Sequence, residues 1–178
     1  MNELRELYRH RQLIAALTAR DLKARYRGSV LGFFWSLANP LLLLAVYTLV
    51  FTKFFPQQVV PSYPLFLFSG ILPWTFFTAA VLEATAAISS NAGLIKKVMF
   101  PAEALPLVVV LSHLVHFLAA LPIMLAAMLA FTAMHKFTMS CTILLGPVLM
   151  LLQAIFVAGL ALIVSSASVL FRDLRDIV

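Results

Sequence analysis

The stretch DLKARYRGSVLGFFWSLANP, residues 21–40, joins a basic segment directly to an apolar one. Lys23, Arg25 and Arg27 lie near its start, and Arg20 precedes them. No polar linker separates these charges from the apolar run that begins near Val30. Such a junction is typical of a chain that enters a lipid bilayer from a charged, water-facing side.

The composition of the whole chain agrees with this interpretation. Of its 178 residues, 63% are hydrophobic and 11% are charged, whereas a soluble domain has roughly 25% charged residues. The net charge of +6 is concentrated beside apolar runs, so it indicates a membrane surface and not a nucleic acid. Cys141 is the only cysteine, which excludes an intramolecular disulfide, and we interpret it as a packed residue.

Four apolar stretches are long enough to cross a bilayer, which takes about 20 helical residues. They run over about 30–55, 64–88, 105–134 and 142–170. Strands with open edges would leave backbone groups unpaired in lipid, so each stretch is predicted to be a helix. The sequence therefore predicts an all-α, polytopic integral membrane bundle over residues 30–178.

The positive charges predict which side of the membrane each end faces. Eleven of the thirteen Lys and Arg residues fall on one side of the four predicted spans, and only Lys53 and Lys136 fall on the other. By the positive-inside rule, the N-terminus is cytoplasmic and four crossings return the chain to the cytoplasm.

Residues 1–29 are predicted to form a basic amphipathic helix at the cytoplasmic surface of the membrane. At 100° per residue, one arc of this helix holds mainly apolar side chains, and most of the basic side chains lie opposite. The apolar arc contains Leu4, Leu7, Tyr8, Ile14, Ala15, Leu22 and Tyr26. Arg11 and Arg25 interrupt the pattern, and the alternative is a charged flank without fixed structure.

Glu83 is the only acid well inside a predicted span. A carboxylate in lipid is costly and needs a partner or a role. We expect it to pair with a basic residue of the N-terminal segment such as Arg25 or Arg27. The alternative is a proton or ion relay, which is disfavoured because no second acid lies at a similar depth.

His113 and His116 share one helix face at i, i+3 spacing. They are interpreted as a polar pair that faces neighbouring helices, because the spans offer too few further ligands for a metal. Small residues recur every four positions at Gly28, Gly32 and Ser36, where they would allow close helix packing, and Pro40 permits a bend.

Motifs for catalysis are missing from the sequence. It contains no G-x-x-x-x-G-K-[ST] loop for ATP, no G-x-S-x-G and no H-E-x-x-H. A membrane acyl- or glycosyltransferase would also need acids, bases or metal ligands grouped at one depth. We therefore expect no catalytic, cofactor or metal site and no enzyme activity, while a non-catalytic membrane scaffold stays open.

Three separate stretches, in order, resemble the permease subunit of type-2 ABC exporters of polysaccharide, a group that includes O-antigen and teichoic-acid exporters. The first is RDLKARYRGSVLGFFWSLANPLLLLAVYTLVF, residues 20–51. The second is NAGLIKKVMFPAEALPL, residues 91–107, and the third is FRDLRDIV, residues 171–178. One such match alone would be weak, but three in the correct order are specific.

The resemblance implies a homodimer in the bacterial inner membrane that pairs with a separate ATPase, which would bind and hydrolyse the ATP. The substrate would be a lipid-linked polysaccharide. Candidate contacts with the ATPase are Ile95, Lys96, Lys97, Val98, Met99, Phe100, Arg172, Asp173 and Arg175. Candidates at the substrate entrance are Arg25, Arg27, Trp35 and Tyr47; the two arginines would bind diphosphate, since guanidinium groups suit phosphate.

One feature departs from the family pattern. A family member is expected to have six spans, and this chain has four, so two C-terminal spans are expected to be missing here. The alternative within transport is an exporter permease for another amphiphile, such as a lipid or a drug.

Overall fold

A computed structural model describes residues 10–26, 34–54, 63–91, 93, 102–134 and 141–171. In this part of the chain the regular elements are helices. They are α1 (Arg11–Tyr26), α2 (Phe34–Lys53), α3 (Tyr63–Ser90), α4 (Ala104–Ala133), a 3₁₀ turn (Cys141–Leu145) and α5 (Gly146–Leu170). The predicted all-α fold is confirmed for the described residues, and no strand occurs among them.

Three of these helices are long and apolar enough to cross a bilayer. They are Tyr63–Ser90, Ala104–Ala133 and the segment Ile143–Leu170, which includes α5. Helix α2 has 20 residues, and Ala38–Phe51 is the apolar segment found among the described residues. The chain is therefore a multi-pass membrane protein. The first predicted span, over about 30–55, and the side of the membrane that the N-terminus faces stay predictions.

Polar side chains inside the long helices bind their own backbone. The hydroxyl groups of Thr48, Ser69, Thr75 and Thr132 each donate to a carbonyl three or four residues earlier, at 2.7–2.9 Å. Such bonds let Ser and Thr lie in an apolar helix without an unpaired donor.

The chain forms two compact units, and helices α3, α4 and α5 contribute to both. The first unit contains α1, α3 from Phe77, α4 up to Leu114 and α5 from Leu151. In it, Ile14 and Leu17 of α1 form a buried cluster with residues of α4, namely Ala104 and Val108. A second cluster joins Ala87 of α3 to Leu105 and Val109 of α4.

Helix α5 joins the first unit through small side chains. Ala161 and Ser165 are fully buried, and the hydroxyl group of Ser168 donates to the backbone carbonyl of Thr85 in α3. The rings of Phe77 and Phe156 stack at a centroid distance of 6.3 Å. Small residues let helices approach closely in a membrane protein, where packing replaces the hydrophobic effect.

The second unit contains α2, the first part of α3 and the second part of α4. Its core includes Phe68, which is fully buried, and Phe76, which stacks on Phe117 at 5.4 Å. Phe51 of α2 meets Tyr63 of α3 edge-on at 4.7 Å. Aromatic contacts therefore connect neighbouring helices in this unit.

The predicted apolar arc of α1 was assigned to the membrane surface, and the buried face of α1 shares only Ile14 with the described part of that arc. Ile14, Leu17 and Thr18 are buried, whereas Ala15 is exposed and Leu22 is half-buried. At 100° per residue, the observed face is rotated by roughly 70° from the predicted arc. Arg25, which interrupted the predicted pattern, lies on the observed face because a carboxylate of α3 binds it.

Candidate functional site

Arg25 of α1 connects the basic helix to α3. Its Nη2 donates to Oε1 of Glu83 at 2.5 Å, and its Nε donates to Oδ2 of Asp21 at 3.0 Å. Asp21 and Arg25 are four residues apart and so share one face of α1. The Arg25 side chain is 26% exposed, which reduces the screening of these contacts by water and salt.

Glu83 uses its other carboxylate oxygen to reach a third helix. Nε2 of His113 in α4 lies 2.7 Å from Oε2 of Glu83. At 1.5 Å per residue, Glu83 is about 10 Å from the end of α3 at Ser90, and His113 is about 13 Å from the start of α4 at Ala104. Asp21, Arg25, Glu83 and His113 thus form a continuous polar chain through three helices, which we call the charged cluster.

The charged cluster keeps Arg25 ionised. Burial lowers the pKa of its guanidinium, but the hydrogen bonds and negative charges of Glu83 and Asp21 outweigh burial, so the pKa is raised above its ordinary value. A raised pKa in the folded state means that the stabilisation is fully present below the unfolded pKa. It is lost only as the pH rises through the folded pKa, far above physiological pH.

A cavity of about 190 Å³ lies beside the charged cluster. Helices α1, α3 and α4 contribute its lining together with Asn91 at the end of α3. The polar residues of the lining are Arg20, Asp21, Glu83, Ser90 and Asn91. The remaining residues of the lining are the apolar Leu17, Ala86, Ala87, Leu105, Val108 and Val109.

The structure confirms the expected partner of Glu83 as Arg25. It also confirms that His113 faces a neighbouring helix, since its partner lies on α3. Among the described residues, no group of three or more His, Cys, Asp or Glu residues is placed to hold a metal.

Several predicted site residues fall outside what the structure describes. The proposed ATPase contacts at residues 95–100 and 172–175 lie outside the described residues, and so do Arg27, Gly28 and Gly32. Trp35 and Ser36 belong to α2 by their backbone. These assignments stay predictions.

Two other predicted residues lie in the described second unit. Tyr47 is half-buried in α2, and its ring lies 6.4 Å from that of Phe51. Pro40 is buried within α2. Arg25, proposed at the same substrate entrance as Tyr47, belongs to the first unit. The role of Tyr47 and Arg25 in substrate entry stays a prediction.

Sequence reasoning missed two partners in the charged cluster. It did not name Asp21 as a partner of Arg25, although the i, i+4 spacing of opposite charges was a signal. Nor did it predict the contact between His113 and Glu83, although Glu83 lies about as far from the end of α3 as His113 lies from the start of α4. The Asp21–Arg25 pair could be predicted from its spacing in the sequence. The Glu83–His113 pair could not, because it depends on the antiparallel packing of α3 on α4.

The chain is similar along nearly all of its length to proteins named as permeases of O-antigen export systems. The protein called O-antigen export system permease protein RfbA in Myxococcus xanthus is 42% identical over 175 residues, which are 98% of this chain and 65% of that protein. Its namesake in Klebsiella pneumoniae is 36% identical over 167 residues, or 93% of this chain and 62% of that protein. The chain thus spans less than two thirds of the length of these relatives.

A shorter similarity reaches the polysialic acid transport protein KpsM of Escherichia coli, which is 28% identical over 85 residues, or 46% of this chain and 32% of that protein. The sequence pattern of the ABC-2 type transporters matches residues 12–177, which include every described helix except the first residue of α1. The match agrees with a multi-pass helical fold and confirms the resemblance seen in the three stretches. The chain belongs to the family of ABC-2 type transporters.

Proposed function

We propose that this chain is a permease subunit of an ABC exporter that moves a lipid-linked polysaccharide of the O-antigen kind across the bacterial inner membrane. The observation that carries the proposal is the 42% identity, over 98% of the chain, to a protein named as an O-antigen export permease. The partial similarity to a protein named for polysialic acid transport supports polysaccharide over a drug or a simple lipid.

The partners follow from the same proposal. Energy would come from a separate ATPase that binds and hydrolyses ATP, and two copies of the permease would form the path. The ATPase would dock on the cytoplasmic segments that contain Lys96, Lys97 and Arg172. Supporting this side assignment, α1 with Arg20, Lys23 and Arg25 belongs to the same unit as the end of α3 and the start of α4, which flank that first segment.

The experiment compares surface polysaccharide in cells with and without the gene for this chain. Deletion should remove the polysaccharide from the cell surface and leave its lipid-linked form inside. Antibody or lectin labelling of intact and permeabilised cells distinguishes the two locations. Unchanged surface labelling in the deletion strain, with the deletion verified, would contradict the proposal.

A pair of matched variants tests the link to the ATPase in the same strain. Lys96→Glu combined with Lys97→Glu should abolish both export and co-purification of the ATPase, because the docking segment changes charge. Lys53→Glu, a charge reversal on the predicted opposite side of the membrane, should leave co-purification intact. Membrane levels of each variant are compared by immunoblotting.

A further inference from the structure

We infer that the cavity between α1, α3 and α4 binds the headgroup of a zwitterionic phospholipid, with the phosphate on Arg20 and a primary ammonium group on the side-chain oxygens of Asp21 and Asn91. This inference requires only that the chain lies in a membrane. It does not depend on the exported substrate, so it can fail while the proposed function holds.

Arg20 supplies the group that would bind phosphate. It lines the cavity and is exposed. In the described part of the chain, no hydrogen bond or ion pair engages its guanidinium, whereas that of Arg25 is taken by two carboxylates. A guanidinium with five free donors binds phosphate oxygens in a bidentate manner. Arg20, and not Arg25, is therefore the anion-binding residue of this cavity.

Two other residues of the lining, Asp21 and Asn91, present acceptors for an ammonium group. Within the described residues, Asp21 uses only Oδ2 in its ion pair with Arg25, which leaves Oδ1 for a ligand. The amide nitrogen of Asn91 donates to the carbonyl of Ala87 at 2.9 Å and to the hydroxyl oxygen of Ser90 at 3.2 Å. Its Oδ1 is left to accept. An ammonium group has three donors and no acceptor, which matches these oxygens.

The net charge of the site selects a ligand that carries both signs. Arg20 and Arg25 provide two positive charges, and Asp21 and Glu83 provide two negative charges, so these four side chains together carry no net charge. A ligand with only a negative charge gains from Arg20 but is repelled by the carboxylates. A headgroup that carries phosphate and ammonium together satisfies both sides.

The size of the cavity limits the ligand further. A volume of about 190 Å³ is several times the ~30 Å³ that one water occupies in the liquid. It is smaller than the ~300 Å³ at which pockets begin to hold drug-sized ligands. The cavity therefore fits a compact headgroup and excludes a sugar chain, while Leu17, Leu105 and Val108 provide apolar contact for the glycerol end.

The test measures which phospholipids the purified protein retains. The protein in detergent is mixed with equal amounts of phosphatidylethanolamine, phosphatidylglycerol and phosphatidylcholine, and bound lipid is counted by native mass spectrometry. Phosphatidylethanolamine should be retained best. Phosphatidylglycerol has no ammonium group, and the trimethylated nitrogen of phosphatidylcholine has no N–H to donate.

Two matched variants locate the site. Arg20→Ala should lower retention of phosphatidylethanolamine about tenfold, as expected for the loss of a charge-assisted hydrogen bond. Lys23→Ala removes the same charge from the same helix but does not touch this cavity, and it should leave retention unchanged. Size-exclusion chromatography confirms that both variants are folded, and Arg20→Lys should retain part of the binding.

Three outcomes would overturn the inference. Equal retention of phosphatidylglycerol and phosphatidylethanolamine would make the site a plain anion site, of the kind that a lipid diphosphate could also occupy. Equal loss in Arg20→Ala and Lys23→Ala would indicate general attraction of α1 to headgroups. Retention of phosphatidylethanolamine by the unaltered protein no higher than by Arg20→Ala would leave the cavity to water.

Discussion

Glu83 shows how a single carboxylate organises the first unit. One of its oxygens accepts from Arg25 of α1, and the other lies against Nε2 of His113 in α4. Its side chain is 40% exposed, so the carboxylate is only partly withdrawn from solvent. The cost of burying this charge is offset by two polar partners, as expected for an acid within a membrane helix.

Glu83→Gln tests the contribution of that charge. The amide keeps one acceptor for Arg25 but loses the ionic attraction, so we expect the free energy of unfolding to fall by about 1 kcal/mol, the upper range for a partly exposed pair. For a chain of this length, the midpoint temperature would fall by about 2–4 °C. Thermal unfolding in detergent, followed by tryptophan fluorescence, measures the shift.

The matched control for this change is Glu103→Gln. Glu103 is exposed, and no ion pair involves it among the described residues. Its replacement should alter the midpoint by less than a degree or so, corresponding to under ~0.5 kcal/mol. Equal shifts for the two variants would show that the charged cluster contributes nothing specific to stability.

At the scale of the element, α1 is held by two different interactions along its length. Its first half packs Ile14 and Leu17 on α4, and its second half binds α3 through Arg25. A basic helix lying only on lipid would turn its whole apolar arc to the membrane. Here one face meets protein, and Arg20 and Lys23 remain exposed on α1.

Leu17→Ala tests the apolar half of this attachment. The Leu17 side chain is 9% exposed within its cluster, and removing a buried leucine costs at least ~2 kcal/mol. If that loss falls on the docking of α1, the detached population should rise roughly thirtyfold. The rate of trypsin cleavage at Arg20 and Lys23, measured under native conditions, should rise with it.

Leu22→Ala is the control for cleavage of α1. Leu22 lies on the same helix but is half-buried and outside the cluster. It should raise the cleavage rate by a much smaller factor. A cleavage rate for Leu17→Ala no higher than that for Leu22→Ala would show that the contact with α4 does not hold the helix.

At the scale of the whole molecule, the distribution of charge predicts the topology in the membrane. The N-terminal segment and the segment between α3 and α4 carry nine of the thirteen Lys and Arg residues. Contacts in the first unit agree with this grouping, since α1 packs beside the start of α4. Both observations favour one water-facing side for α1 and for the segment between α3 and α4.

Single cysteines test the topology directly. In a Cys141→Ser background, Glu103→Cys should react with a membrane-impermeant maleimide only after the inner membrane is opened. Lys53→Cys, at the end of α2, should react while the inner membrane is intact. Both positions are exposed, so a difference in labelling reports sidedness and not burial. The opposite labelling pattern would reverse the predicted orientation.

The sequence by itself determined the helical membrane fold, because a bilayer allows few backbone structures and the apolar runs have the necessary length. It also led us to expect a basic partner for Glu83 from the N-terminal segment, since a lone carboxylate is costly in an apolar helix. The resemblance to ABC-2 polysaccharide exporters rested on three local motifs that occur in the same order along the sequence. The match to the ABC-2 family confirms this resemblance.

Only the tertiary structure decided which face of α1 meets the protein, because that face is set by the packing of Ile14 and Leu17 on α4 and by the ion pair of Arg25 with Glu83. It likewise decided that Arg25 belongs to Glu83 while Arg20 faces a cavity. The two arginines are five residues apart on one basic helix, and composition cannot distinguish them. The packing of α1 against two other helices does so, because contacts between distant segments depend on geometry that local sequence does not contain.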